Sequence, residues 1–215
     1  MPGTEHGQNG LVPEAHALWL FSLAALALLL VPGPAVLYIV AQSVDHGRLA
    51  GLVSVAGVHL GTLVHTVAAA VGLSALIVSS AVAFSVVKYA GAAYLVYLGI
   101  RRLLDRDSPA RVVVSSRPLA QLFWRGAVVN VLNPKTALFF FAFVPQFVDP
   151  ERAVWSQVAV FGLVFMALGF LSDGLYALTA GTFGRWLRSR PAILRYGSGS
   201  VYVGLGALTA FSKRA

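Results

Sequence analysis

From Ala17 to Ala41, and again from Leu49 to Val87, the chain carries no Asp, Glu, Lys or Arg. A helix rises 1.5 Å per residue, so about 20 apolar residues cross the roughly 30 Å of bilayer hydrocarbon. The first stretch is long enough for one crossing. The second is too long for one and divides at Ser79 and Ser80 into helices over about 50–78 and 82–104. A soluble fold covers itself with about 25% charged residues. This chain of 215 residues has 11%, against 58% hydrophobic, so lipid is expected to cover most of it.

The remaining apolar runs complete the pattern. A fourth span is expected from Phe123 to Phe147, and a fifth from Ala153 to about Phe183, closed by "RWLRSRP". A short glycine-rich sixth runs from Tyr196 to Phe211. The fold class read from this is an all-α membrane protein of six transmembrane helices. Residues 1–16 form an N-terminal tail and 17–104 a first group of three helices. Residues 105–122 form a basic loop, 123–212 a second group of three, and 213–215 a C-terminal tail. The N-terminal tail has no Lys or Arg, unlike the basic start of a secretory signal, and its apolar run reads as a retained helix.

Net charge is +8, but the basic residues cluster between apolar runs, the pattern of the positive-inside rule rather than of a nucleic-acid-binding face. The segments 101–125 and 185–195 hold most of the arginines and are expected in the cytoplasm, with both termini outside. Cysteine is absent, which removes disulfides, a thiol nucleophile and cysteine metal sites.

The two groups of helices resemble each other. "KYAGAAYLVYLG" at 88–99 aligns with "RYGSGSVYVGLG" at 195–206, and "VPGPAVLY" at 31–38 with "LNPKTALF" at 132–139. Asp45 and Asp149 each follow the first span of their half. An odd number of spans per copy inserts the second copy from the opposite face, the inverted-repeat plan of many secondary transporters. The alternative is that glycine-rich membrane helices simply look alike.

Proline lacks a backbone donor and interrupts a helix. Pro32, Gly33 and Pro34 break the first span, and Asn133 and Pro134, followed by Lys135, break the fourth at the corresponding place. Backbone groups freed by a break cannot face lipid but can line a watery cavity, and the N-terminus of a half-helix suits a carboxylate. A packing kink is the alternative reading.

A charge near the bilayer centre costs on the order of 3 kcal/mol on insertion scales. Lys135 therefore needs a cavity, an anionic partner or a route to the interface, and Asp173, the one acid within a span, needs the same. Both are candidates for binding substrate and for proton coupling, with a structural ion pair as the alternative. Gln42, Asn130 and Asn133 could add amide contacts. His59 and His65 stand about 240° apart on one helix, which disfavours a shared metal site, and both read as satisfied buried polar residues. Gly57 and Gly61 form a GxxxG that permits close helix contact. No phosphate loop, nucleophile elbow, HExxH or carboxylate pair appears, so no catalytic residue, metal ligand or cofactor is assigned and no enzyme is expected.

With "PGP" at 32–34, a glycine ladder from Gly47 to Gly61, "KYAGAAYLVYLGIRRL" at 88–103 and "GAVVNVLNPKTALFFFAFVPQF" at 126–147, the chain resembles the lysine exporter superfamily. Within it, the likeness is to the LysE/RhtB homoserine–threonine type translocators, over roughly residues 18–212. The resemblance implies a bacterial inner-membrane protein that exports amino acids or related metabolites using the proton motive force. It draws attention to Pro32, Gly33, Pro34, Asn133, Pro134 and Lys135, and less firmly to Lys88, Tyr94, Asp173 and Tyr176. Family members often have a polar residue after "PGP", where this chain has Ala35. The expected partners are an amino-acid-like small molecule, protons and lipid, not nucleic acid, with a homodimer as a candidate assembly. Metal-cation export is the second transporter reading, and a membrane enzyme or scaffold a third.

Overall fold

The computed structural model describes residues 13–79 and 118–188 continuously, with single positions between 86 and 104 and between 192 and 210. The third and sixth expected spans, most of the loop 105–122, Lys88 and Tyr94 lie outside the described stretches. Among the described residues every regular element is helical. Helix α1 covers Ala15–Leu30, α2 Pro34–His46, α3 Arg48–Ser79, α4 Leu119–Val131, α5 Pro134–Leu138 and α6 Val154–Arg188. A π-helical turn, Phe139–Phe143, and a 3₁₀ turn, Val144–Phe147, continue α5.

Within α3 and α6, the stretches Arg48–Ser74 and Val154–Ala180 are long and apolar enough to cross a membrane. The pairs α1–α2 and α4–α5 qualify together as broken spans, bent by 52° and 48°. Trp19, Leu30, Val67, Val71, Leu163, Leu171 and Leu175 point outward with most of their surface uncovered, as side chains facing lipid do.

Three boundaries differ from expectation. The first span continues past Ala41 to His46, and Gly47 then turns the chain with φ 88°, a conformation that favours glycine. The fourth begins at Leu119, because Pro118 sits at the cap, where its missing N–H removes no helical bond. The fifth runs past Phe183 to Arg188, because the sequence between them carries no proline to stop the helix.

The contacts fix helix directions. Along α1–α2 and α4–α5, Phe21 meets Phe139 and Phe147, Val31 meets Lys135, and Tyr38 meets Leu122. One number rises as the other falls, so the two broken spans run antiparallel. Helix α3 is likewise antiparallel to α6: Gly51 lies against Ala177, His59 against Gly169, and Thr66 against Gly162. By contrast α3 and α4 run parallel, with Gly57 on Phe123 and Gly61 on Ala127 and Asn130. That contact is very close. A Cβ on Gly57 would stand 2.0 Å from the Phe123 carbonyl oxygen, and one on Gly126 2.8 Å from that of Ser54. The glycines bring the backbones together, as small residues do between membrane helices.

An aromatic core closes one end of the bundle. Phe21, Phe139, Phe140, Phe143, Phe161 and Phe165 are buried there, with the rings of Phe21 and Phe161 4.6 Å apart. Beneath this layer the two breaks meet.

Candidate functional site

In an unbroken helix the N–H of residue i+4 donates to the carbonyl of residue i. Pro34 stands four residues after Leu30, and Pro134 four after Asn130, so each proline strips the equivalent carbonyl of its helical donor. Both carbonyls are satisfied by side chains from neighbouring helices. The Tyr176 hydroxyl on α6 donates to Leu30 at 2.8 Å. His65 on α3 reaches the Asn130 carbonyl at 2.9 Å through Nε2. A carbonyl can only accept, so that nitrogen carries the hydrogen. The Asn130 carbonyl also accepts from the Asn133 N–H at 3.0 Å. The next carbonyl of the first break, Val31, accepts from Lys135 Nζ at 2.5 Å. A lysine of the second break thus satisfies the backbone of the first.

The two half-helices beyond the breaks begin differently. Asn133 caps α5 by accepting from the Lys135 N–H through its side chain at 3.1 Å. Its amide also donates to Asn130 Oδ1 at 3.2 Å. Asn130 in turn donates to the Val58 carbonyl and to Thr62 Oγ1, both at 2.9 Å, and accepts from Thr136 at 2.9 Å. The second break is thereby internally satisfied. The cap of α2 is Gly33, which has no side chain to donate to, so the α2 N-terminus keeps the free N–H groups of a helix start.

That uncapped end opens on a small cavity of about 30 Å³, room for water molecules. Its wall includes Gly33, Ala35 and Val36 from α2, His59 and Thr62 from α3, Asn130 from α4, Asn133 and Lys135 from the second break, and Phe165 and Asp173 from α6. Lys135 and Asp173 are 7% and 3% exposed. They share the cavity without forming an ion pair; the side chain beside the Asp173 carboxylate is instead His59, with Nε2 3.4 Å from Oδ2.

Gly33, Asn130, Asn133, Lys135 and Asp173 are therefore brought together as candidate site residues. Pro32, Pro34 and Pro134 make the breaks that shape it. Tyr176 acts through the Leu30 carbonyl rather than from the wall. Gln42 is buried more than two turns further along α2 and does not line the cavity. His65 is satisfied, as expected. His59 is not: neither ring nitrogen makes a hydrogen bond, so the reading of it as a satisfied polar residue is corrected. Its neighbour Asp173 lies far away in sequence, and only the antiparallel register of α3 and α6 could have revealed the pair.

The model of LysE type translocators matches residues 26–213, most of the chain and all of this site. The chain belongs to the LysE type translocator family. It is similar to an uncharacterized membrane protein of Vibrio cholerae, at 33% identity over 93% of this chain and 99% of that one. It is also similar to the homoserine/homoserine lactone efflux protein of Salmonella typhi, at 30% identity over 92% and 98%. The leucine efflux protein of an Enterobacter species is 27% identical over 88% and 92%. No solved structure matches the chain. The family and these names mark a membrane transporter rather than an enzyme.

Proposed function

We propose that this translocator exports a neutral amino acid or a closely related metabolite across the bacterial cytoplasmic membrane, driven by protons. One observation carries the reading: a helix N-terminus without a cap, one ammonium and one carboxylate face a single water-sized cavity where two broken spans meet. A zwitterion fits that set. Its carboxylate takes the free N–H groups at the start of α2 together with Lys135, and its ammonium takes Asp173. The relatives named for homoserine/homoserine lactone efflux and for leucine efflux include zwitterionic amino acids in their names, which is consistent with this reading.

The cavity as described suits water rather than an amino acid, so binding requires it to widen. The bond from Lys135 to Val31 ties one break to the other and is the contact that a substrate carboxylate would replace. Antiparallel pairing of α1–α2 with α4–α5, and of α3 with α6, supports two three-helix halves of opposite orientation rocking about this point. The arginine-rich segments 101–125 and 185–195 are assigned to the cytoplasmic side. Lys135 and Asp173 are the groups assigned to proton coupling.

Uptake of labelled homoserine, leucine and a panel of other amino acids into inside-out vesicles tests the proposal. Uptake that requires the chain and collapses with the proton gradient is expected. Vesicles that accumulate none of the panel would overturn it.

A further inference from the structure

His59 is 2% exposed, and neither of its ring nitrogens has a hydrogen-bond partner. Asp173 Oδ1 is buried and unpartnered as well. Unsatisfied buried polar atoms are rare, and three on two facing residues call for a physical reason. Packing holds the ring in place. It stacks on Phe170 with centroids 3.9 Å apart, and it fills the space that a side chain at residue 169 would occupy: a Cβ on Gly169 would stand 2.6 Å from His59 Cε1. Asp173 follows Gly169 by one turn and so presents its carboxylate to the same ring. The Nε2–Oδ2 separation of 3.4 Å exceeds that of a good hydrogen bond, whereas a proton on the imidazole would make a charge-assisted bond of about 2.8 Å. The pair is placed so that Nε2 and Oδ2 can share a proton.

We infer that His59 and Asp173 together hold the transported proton, and that the substrate ammonium competes with it for the one carboxylate. This rests on the exporter reading and refines it: within that site His59 takes the place of Lys135 as the proton-coupling partner of Asp173, and Lys135 remains the ligand of the substrate carboxylate. Other titratable groups near the ring are accounted for. Lys135 shares the cavity and bonds to Val31, the Tyr176 hydroxyl donates to Leu30, and His65 is bonded to Asn130. The wall residues of α1 and α2, which are Leu29, Gly33, Ala35 and Val36, carry no titratable group.

The cycle balances simply. On the outer side one N–H bond forms on His59 with a proton from water, and the imidazolium occupies the Asp173 carboxylate. On the cytoplasmic side that bond breaks, the proton returns to water, and the carboxylate is released to a substrate ammonium. Because the two cations exclude one another, each weakens the other's binding by the same factor, and one-for-one antiport follows.

The first test needs no substrate. In pH-difference infrared spectra of the full chain in membranes, Asp173→Asn identifies the carboxyl band of Asp173. His59→Gln and His59→Asn, each checked for insertion, are expected to move the midpoint of that band by about one pH unit or more, as coupled sites do. An unmoved midpoint in both variants would overturn the inference. The second test uses proteoliposomes with labelled homoserine or leucine. In the histidine variants the ratio of gradient-driven accumulation to equilibrium exchange is expected to fall by about tenfold, within the usual range of coupling between sites. A ratio equal to that of the wild type would overturn the inference and leave the exporter reading intact. A coupled infrared step in a chain that moves neither amino acid nor any other would overturn the exporter reading alone.

Discussion

Lys135→Met separates a functional charge from a structural one. In the wild type the ammonium is buried and donates to the Val31 carbonyl at 2.5 Å, while sharing its cavity with Asp173. Removing it leaves that carbonyl without this donor, a loss of about 1–3 kcal/mol for a buried group. The same change removes the cost of keeping a cation within the bilayer, on the order of 3 kcal/mol. The two effects oppose each other and are of similar size, and methionine keeps the length and packing of the side chain. Net stability is therefore expected to change by no more than about 1–2 kcal/mol, with normal insertion and a nearly unchanged detergent melting temperature. Transport should respond very differently. Loss of one partner of a buried charge pair costs about 2–5 kcal/mol of binding, which at 1.4 kcal/mol per decade lowers export roughly thirtyfold or more. The assay is initial-rate uptake into inside-out vesicles, normalised to inserted protein. Wild-type export by the inserted variant would refute the role of Lys135 as a substrate ligand. An unfolding free energy lowered by several kcal/mol with the rate per inserted protein intact would make Lys135 a structural tie.

Other expected outcomes follow from the same contacts. Gly57→Ala places a methyl carbon 2.0 Å from a backbone oxygen that cannot move aside, so it should cost at least the 1–3 kcal/mol or so of an overpacked core and lower the melting temperature and inserted yield; an unchanged melt would contradict the α3–α4 contact. Tyr176→Phe removes the hydroxyl from the Leu30 carbonyl and should cost about 1–3 kcal/mol. His65→Phe should cost less, because the Asn130 carbonyl keeps the Asn133 N–H; a reversed order in thermal melts would refute this view of the proline-stripped carbonyls. Asp173→Asn should weaken the binding of neutral amino acids and abolish their gradient-driven accumulation, and vesicles that still concentrate substrate would exclude Asp173 as the coupling carboxylate.

Much of this site was legible in the sequence because its causes are local. A proline's missing N–H is written in the chain, so the two breaks could be placed before any helix was seen. The cost of a charge in hydrocarbon singled out Lys135 and Asp173 in the same way. What local rules could not supply was register. That Lys135 would satisfy Val31, that Tyr176 would reach Leu30, and that His59 would face Asp173 all depend on antiparallel helices meeting at one particular level. Gln42 has the polarity of a site residue but sits too far along α2, and residue type alone does not encode that distance. The difference between the two half-helix starts was written in Gly33 and Asn133, since only asparagine can cap. Its meaning emerged only once both ends were seen beside one cavity. The π-helical turn at Phe139–Phe143 had no signal in the run of phenylalanines, because it depends on how those rings pack against α1 and α6.

Because the chain has no cysteine, one introduced thiol reports on the cavity without background. Ala35→Cys at the uncapped start of α2, in proteoliposomes treated with a small water-soluble methanethiosulfonate, gives the most direct test that an amino acid binds where the two broken spans meet. Labelling that proceeds in buffer and slows saturably when homoserine or leucine is added is the expected result. A thiol that never reacts, or one that reacts at the same rate whatever amino acid is present, would contradict it.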